Sequence, residues 1–272
     1  MENRMKRRLG VDVKHVGVDL VKLNKMVTSE KFSDLIPIEN RQPISIIITA
    51  WQTQDYIEEC LDSIEKQTYF KDYDDYEILV GVDACEKTLN KLMKIRHKYR
   101  NLRIFMMKTN KGTYVTSNTL LDLVSFKNII RFDSDDVMLY SMINEIMLYI
   151  EKGDVIKFMY NNFSYKNVYN KKSAYSGGVI FYKKKIIEEF GGYMPWICAA
   201  DGELLQRFIN NDVNIYSLNK SLFLRRRHNN SLTMKNITSM NSKLRKKYHL
   251  LRKTSNKNIK KIEREINNYI EK

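Results

Sequence analysis

The sequence predicts an α/β fold in which a mostly parallel sheet is flanked by helices and followed by a helical, basic C-terminal extension. Short apolar runs rich in β-branched residues alternate with amphipathic segments at the spacing of βαβ units. The chain has 272 residues with 43% hydrophobic content, enough for one large domain with appendages. We expect an N-terminal extension over 1–42, an α/β domain over 43–234 and the basic tail over 235–272.

The first half of the α/β domain is predicted to alternate four strands with three helices. The helices have apolar residues at helical spacing, such as Ile57, Leu61 and Ile64 in the first one. The strands are predicted in ISIIIT, YEILVGV, LRIFMM and NIIRF, and the helices in DYIEECLDSIEKQ, TLNKLMKIRHKY and SNTLLDLV.

The second half of the domain differs, because a polar, Tyr-rich stretch interrupts it. We predict helices in SMINEIMLYI, in KKIIEEF and over 199–210, and strands in VIKFMY, GVIFY and VNIYSL. The stretch between the first two of these strands, NNFSYKNVYNKKSAYSGG, is predicted to be a polar excursion from the fold. From about Met240 the chain has neither Pro nor Gly and is predicted to be helical.

The net charge of +15 is concentrated in the C-terminal part of the chain. From Lys220 to the end there are 16 Lys and Arg against 3 Glu, so the rest of the chain is close to neutral. Such a tail binds nucleic acid, anionic lipid or an acidic partner, or is simply a solvated helix face. Because the body is nearly neutral, the charge does not indicate a nucleic-acid-binding protein. We expect the tail to contact an anionic membrane or to pack against a second copy in a homodimer.

Three features predict a cytoplasmic protein. Cys60, Cys85 and Cys198 are odd in number and lack metal-binding spacing, as in proteins of a reducing compartment. The longest apolar run, ISIIITAW, is too short to span a bilayer, and residues 1–20 lack the continuous apolar region of a signal peptide. Peripheral contact with the inner face of a membrane is compatible with this location.

Three carboxylates, Asp133, Asp135 and Asp136, crowd into RFDSDDVM directly after the fourth predicted strand. Clustered acids repel one another and are costly to desolvate. Ligands of open α/β sheets bind beyond the carboxyl ends of the strands, where Mn²⁺ or Mg²⁺ would bridge such acids to a polyphosphate. The alternative is that Asp135 or Asp136 caps the helix that follows.

Seven segments resemble, in their order and spacing, the inverting family 2 glycosyltransferases over about residues 43–234. They are PISIIITAWQTQDYIEECLDSIEKQT, YEILVGVDACEKT, TNKGTYVTSN, FDSDD, GGVIFYKKKIIEEFGGY, AADGELLQRF and RRRHNNSLT. The resemblance implies the glycosyltransferase A-type fold, with a Rossmann-like sheet. It also implies a metal-dependent hexosyltransferase of polysaccharide biosynthesis, which moves a sugar from a nucleotide sugar, UDP-sugar favoured, to a hydroxyl of a glycan or lipid-linked acceptor.

For the donor, the resemblance places Ala50 and Trp51 against the nucleoside and Asp83 against the uracil NH. The segment TAWQ departs from the P-T-Y-N of the family, and Asp83 lacks most of the usual D-D-G-S stretch, so other bases stay open. A turn residue after a strand is the alternative for Asp83. Lys111 and Gly112 would lie under the donor, with the lysine facing a phosphate.

Asn118 matches the Asn that ends the A-R-N of the family, but Ser117 stands where Arg is common. The missing charge would come from Arg131 or from the RRR run, whose guanidinium groups would clamp the diphosphate. The run comprises Arg225, Arg226 and Arg227.

The resemblance assigns the cation to Asp135, Asp133 and His228. Asp133 would also contact the ribose, and Ser134 the donor. The histidine belongs to RRRHNNSLT, which is similar to the R-x-H-x-x-S-x-T stretch of the family. A place in a basic surface loop is the alternative for His228.

Inversion by single displacement requires a carboxylate that takes the proton of the acceptor hydroxyl. The resemblance of AADGELLQRF to the E-D-x-D-L stretch puts Asp201 at the position of this base, with Glu203 in reserve. Asp201 as the N-cap of the following helix is the alternative. Trp196, Tyr193 and the Tyr- and Asn-rich stretch 160–175 would contact the acceptor, with core packing as the alternative for the aromatic residues.

Three classes of function stay open from the sequence. The first is the inverting glycosyltransferase. The second is a sugar-nucleotidyltransferase, which normally has a Gly-rich basic loop after the first strand, whereas TAWQTQD has no glycine. The third is a non-catalytic module that binds nucleotide sugars or an anionic surface, with the basic tail as its working part.

Overall fold

The computed structural model describes residues 33–164, 167–172, 175–229, 231–253 and 269–272. In this part of the chain ten strands form one sheet, with seven helices packed around it. The strands are β1 Ile44–Ala50, β2 Tyr76–Val82, β3 Leu102–Met107, β4 Asn128–Asp133, β5 Val137–Met138, β6 Val155–Ser164, β7 Asn167–Lys172, β8 Ile180–Lys183, β9 Ile215–Arg226 and β10 Tyr269–Glu271. The helices are α1 Ile57–Glu65, α2 Glu86–Ile95, α3 Thr113–Leu123, α4 Met142–Met147, α5 Lys184–Phe190, α6 Ala200–Asn210 and α7 Lys243–Lys253.

Four parallel strands, in the order β3-β2-β1-β4, form one half of the sheet. Every residue of β1 and β2 is buried, as expected for strands covered by helices on both faces. The other half is mixed: β8 joins β4 in antiparallel pairing, while β6 runs parallel to β9. The predicted α/β sheet is confirmed, with its parallel part confined to the first half.

Apolar residues alternate between the two faces of β1 and so contribute to two separate cores. Ile46 and Ile48 pack with α1, α2 and α4 on one face, whereas Ile47 packs with α3, α5 and α6 on the other. The resulting three layers leave the carboxyl edge of the parallel strands as the place where loops from both faces meet.

The predicted polar excursion after VIKFMY is wrong, because this stretch extends the sheet. Strand β6 continues to Ser164, and the chain returns as the antiparallel strand β7. Phe163 is buried, and the guanidinium of Arg226 lies 4.4 Å from its ring centre, because β9 runs beside β6. The neighbour that orders this stretch is thus about 60 residues away in sequence.

The C-terminal tail contains the predicted helix, α7, but its end is not helical. Residues Tyr269–Glu271 form β10, which pairs with β3 and covers an edge of the sheet. The predicted helix over 254–268 and most of the predicted N-terminal extension, 1–32, lie outside the described residues. No helix among the described residues is long and apolar enough to cross a membrane.

A buried ion pair fixes the orientation of α6. Arg207 and Glu203 are four residues apart on this helix, both are buried, and the Nε of the arginine donates to the carboxylate at 3.0 Å. The same guanidinium donates to the carbonyl oxygens of Phe190 and Gly192, at 2.8 and 2.9 Å. Helix α6 is therefore tied to the end of α5.

Replacing Arg207 should destabilise the protein strongly. Arg207→Met leaves Glu203 without its buried partner, and we expect the free energy of unfolding to fall by about 3–5 kcal/mol in urea denaturation. The control is Arg100→Met, which removes an exposed pair with Asp74 and should cost less than about 1 kcal/mol. Equal losses in the two variants would contradict a structural role for the buried pair.

Candidate functional site

A cleft of about 970 Å³ lies at the carboxyl edge of the parallel strands. Its walls include the ends of β1 and β4 and the residue that follows β2, because the register sets Thr49 opposite Asp133 and Ala50 opposite Val82. The residues predicted for the site that line it are Ala50, Trp51, Asp83, Lys111, Gly112, Asp133, Ser134, Asp135, Asp201, Arg225 and His228.

Asp83 holds the loop between β3 and α3 through its carboxylate. The two oxygens accept the backbone N–H groups of Lys111 and Gly112, at 2.7 and 2.9 Å. Burial raises the pKa of Asp83, while the two N–H donors act in the opposite direction. Gly112 has a φ of +87° and ψ of 161°, a combination essentially restricted to glycine. The role of Gly112 is thus conformational. A contact of Asp83 with the base of the donor stays a prediction.

The three acids at the end of β4 each contact a different partner. Arg131, buried within β4, pairs with Asp133 at 2.5 Å and donates to the carbonyl oxygen of Gly178 at 2.9 Å. Asp136 is buried and accepts the backbone N–H of Arg226 at 2.8 Å. Burial, with the neighbouring acids, raises the pKa of Asp136 well above its usual range.

The capping alternative for these acids is wrong. Ser141, and not Asp135 or Asp136, occupies the N-cap position of α4. The carboxylate of Asp135 instead meets the imidazole of His228, with Oδ2 and Nε2 2.7 Å apart. The histidine is half-buried, and its ring centre lies 4.7 Å from that of Tyr56. Its Nδ1 is buried and finds no hydrogen-bond partner in the part of the chain that the structure describes.

The acidic corner, as we call the cluster of Asp133, Asp135 and Asp136, offers ligands for a divalent cation without forming a closed cage. Among the described residues, no group of three or more His, Cys, Asp or Glu side chains is gathered into a metal site. Asp135 and His228 nevertheless present an oxygen and a nitrogen to one point in the cleft. A carboxylate and an imidazole fit Mn²⁺ or Mg²⁺, which in nucleotide sites take few protein ligands and complete their shell with phosphate and water.

Asp201 lies on α6, across the cleft from the acids. The N-cap position of this helix belongs to Ala199, in the left-handed region with φ +64°, so the capping alternative for Asp201 is wrong. The hydroxyl of Tyr114 donates to Oδ1 of Asp201 at 3.0 Å. A Cβ added to Gly178 would lie 3.8 Å from Oδ2 of Asp201 and 3.7 Å from Oδ2 of Asp133. The two carboxylates thus flank one glycine.

The three arginines of the RRR run have different surroundings. Arg225 lines the cleft and donates to the hydroxyl of Tyr160 at 3.3 Å. Arg226 also lines the cleft but is largely structural, because it pairs with Glu59 on α1. Arg227 is exposed outside the cleft. Arg225 and Arg226 lie on β9, which runs further than the predicted strand VNIYSL.

Four other predicted residues are not brought to the cleft. Asn118 exchanges hydrogen bonds with the backbone of Tyr193, at 2.8 and 2.7 Å, and Tyr193 is fully buried. Trp196 stacks on Tyr248 of α7, with ring centres 4.5 Å apart. Glu203, the reserve base, is buried in its pair with Arg207. Of the stretch 160–175, Tyr160 and Tyr175 line the cleft.

The structure adds residues that sequence reasoning missed. Segment 231–253 forms a wall of the cleft, with Lys235, Arg245, His249 and Arg252 among its lining residues. The last three are spaced i, i+4 and i+7, the pattern of one helix face. This spacing is the feature of the sequence from which a common cationic face could have been predicted. Whether the tail is a unit separate from the domain over 43–234 stays a prediction.

Relatives of the chain are glycosyltransferases. It is 34% identical over 123 residues to an uncharacterized glycosyltransferase of Haemophilus influenzae, covering 45% of this chain and 37% of the relative. It is 34% identical over 95 residues to the poly(ribitol-phosphate) beta-glucosyltransferase of Bacillus spizizenii, and the match covers 34% of this chain and 15% of the relative. It is 25% identical over 212 residues to the O-antigen biosynthesis glycosyltransferase WbnJ of Escherichia coli, and the match covers 69% of this chain and 81% of the relative. The chain thus spans well under half of the first two relatives.

Solved structures show the same fold. S. aureus TarS in complex with UDP superposes with a TM-score of 0.58 at 18% identity, covering 69% of this chain and 61% of that chain. The mannosyltransferase PcManGT from Pyrobaculum calidifontis, in complex with GDP-Man and Mn²⁺, superposes with a TM-score of 0.58 at 14% identity. The match covers 76% of this chain and 64% of that chain. The predicted A-type fold is thereby confirmed. The model of glycosyl transferase family 2 matches residues 45–260, most of the chain, and the protein belongs to that family.

Proposed function

We propose that this protein is a metal-dependent, inverting glycosyltransferase that moves a sugar from a nucleotide sugar to an acceptor hydroxyl. The observation that carries the proposal is the placement of Asp201 and Asp133 on either side of Gly178 in one cleft. A single displacement needs a base for the acceptor and a charged site for the leaving diphosphate, and the cleft offers both.

The donor would lie along the ends of β1, β2 and β4. Trp51 is partly exposed at this edge, where it can contact a nucleoside, and Asp83 lines the same cleft. Structural neighbours were solved with UDP, with UDP-GlcNAc and with GDP-Man, which supports a nucleotide sugar as donor. We favour a UDP-sugar, because the carboxylate of Asp83 can accept a hydrogen bond from a uracil NH.

Asp135, His228 and Asp133 would hold the cation on the donor. When bound, Mn²⁺ or Mg²⁺ supplies positive charge that stabilises the diphosphate as it leaves. Arg225 lines the same part of the cleft and would add a second positive charge beside the phosphates. Arg131 keeps Asp133 in place through their 2.5 Å ion pair.

Asp201 would act as the general base. Its Oδ1 accepts the hydroxyl of Tyr114, which orients the carboxylate and leaves Oδ2 to take the proton of the acceptor hydroxyl. The attacking oxygen then displaces the diphosphate from the opposite face of the anomeric carbon, which inverts its configuration. Burial and the charge of Asp201 raise the pKa of Tyr114, so this tyrosine stays a donor at neutral pH.

Replacing Asp201 by Asn should abolish most of the sugar transfer. Because the amide cannot accept a proton, we expect kcat to fall by about 10²–10⁴-fold, with little change in the KM for the donor. The donor is first identified by screening a panel of nucleotide sugars for Mn²⁺-dependent hydrolysis. Initial rates with that donor then compare the variants.

The matched control is Asp212→Asn, an exposed site with φ +55°, which Asn tolerates well. It should keep the rate of the unchanged protein. Full activity of Asp201→Asn would refute the assignment of the base. The absence of sugar transfer and donor hydrolysis by the unchanged protein with every donor of the panel would favour a non-catalytic module. Formation of a nucleotide sugar from a sugar phosphate and a nucleoside triphosphate would instead favour a sugar-nucleotidyltransferase.

We further propose that the tail contacts an anionic membrane that carries a lipid-linked acceptor. Ile237 and Met240, which line the cleft, are 69% and 61% exposed, and Leu250 of α7 is 65% exposed. Exposed lysines, such as Lys246 and Lys247, lie on the same segment. Apolar side chains interspersed with lysines are typical of surfaces that lie at a lipid interface.

Binding to liposomes should therefore depend on both salt and apolar contact. We expect the protein to sediment with vesicles containing phosphatidylglycerol at low ionic strength and to be released at about 0.5 M salt. Leu250→Ser should weaken this binding several-fold, whereas Met93→Ser, at an exposed site on α2, should not. Sedimentation that is equal with neutral and anionic vesicles would contradict the proposed contact with an anionic membrane. Sedimentation with neither kind of vesicle would contradict it too and would leave a homodimer contact as the proposed role of the tail.

A further inference from the structure

Helix α7 forms the wall of the cleft next to Asp201. It packs against α6, and its Tyr248 stacks on Trp196 just before that helix. Arg245 is buried, and two of its nitrogens donate to the carbonyl oxygen of Thr238, at 2.9 and 2.8 Å. These contacts fix the helix on the body of the protein, so one of its faces is held towards the cleft.

That face is positively charged. Arg245, His249 and Arg252 follow one another at i, i+4 and i+7, and all three line the cleft. Residues 235–253 include seven Lys and Arg and no Asp or Glu, so the segment contains no acid of its own to neutralise this face. Burial and the charges of Arg252 and Arg245 lower the pKa of His249, while the charge of Asp201 acts in the opposite direction.

Arg252 lies against Gly202, the residue that follows the predicted base, and no carboxylate of the described residues pairs with it. Its Nη1 is 2.6 Å from where a Cβ of Gly202 would be, so the absence of a side chain at Gly202 makes room for the guanidinium next to Asp201. The Nε of Arg252 is buried and has no hydrogen-bond partner among the described residues. Within the part of the chain that the structure describes, Arg252 forms no ion pair with a carboxylate. Buried donors of this kind are usually satisfied, which points to an anion from outside the chain.

We infer that the face formed by Arg245, His249 and Arg252, here called the α7 cationic face, binds a phosphate group on the acceptor. The inference rests on the proposed function, because the acceptor must place its hydroxyl at Asp201, and Gly202 brings Arg252 to that point. The donor has its own charged groups at the acidic corner and at Arg225. A phosphate carries more charge than a carboxylate, and it matches two guanidinium groups and an imidazole better.

The test compares small acceptors that differ only in a phosphate: ribitol 5-phosphate against ribitol, and glucose 6-phosphate against glucose. Their affinities are measured by NMR titration of the full chain saturated with UDP and diamagnetic Mg²⁺, so that the donor site is blocked. We expect at least one phosphorylated compound to bind about tenfold more tightly than its neutral counterpart. Arg252→Gln should reduce that preference to about twofold or less.

The matched control is Lys247→Gln, which removes a charge from an exposed position of the same helix and should keep the preference. Equal affinities within both pairs in the unchanged protein, or an unchanged preference in Arg252→Gln, would overturn the inference. A raised Kd for UDP in Arg252→Gln would also overturn it, because the arginine would then serve the donor. A protein that binds no UDP and hydrolyses no nucleotide sugar would refute the proposed function instead.

Discussion

The ion pair between Arg131 and Asp133 is the interaction on which the cleft depends. The arginine is buried at the end of β4, where it neutralises one acid and joins β4 to the loop before β8 through the carbonyl oxygen of Gly178. Without it, Asp133 would lose its ion-pair partner while standing close to two further acids, Asp135 and Asp136. Arg131 thus allows the chain to place carboxylates at the carboxyl edge and still fold.

The remaining charges follow a similar division between structure and chemistry. Asp136 and Arg226 are engaged in holding β9 beside the acidic corner, and Glu203 and Arg207 hold α6. Asp135 and Asp201, by contrast, line the cleft without an arginine or lysine partner within salt-bridge distance in the described part of the chain. We propose that Asp135 helps to hold the cation and that Asp201 takes the proton of the acceptor.

Local sequence patterns predicted most helices and strands well, but not the strands that form through pairing with distant parts of the chain. The strand ISIIIT and the amphipathic segment around Ile57 are set by their own residues, and the structure shows both. The hairpin after VIKFMY and the edge strand β10 depend on distant partners, which a local pattern cannot reveal. In the site, the residues at strand ends were predicted because the topology fixes their place. Asn118 and Trp196 were misplaced because their neighbours, Tyr193 and Tyr248, come from elsewhere in the chain.

The proposed sugar transfer depends on a divalent cation that joins the acidic corner to the diphosphate of the donor. Electron paramagnetic resonance of Mn²⁺, titrated with the protein in the presence and absence of UDP, tests this most directly. We predict that UDP strengthens Mn²⁺ binding at least tenfold and that Asp135→Ala abolishes the gain, while the exposed-site variant Asp212→Asn keeps it. Mn²⁺ binding that ignores UDP, or that is equal in Asp135→Ala and the unchanged protein, would contradict the account.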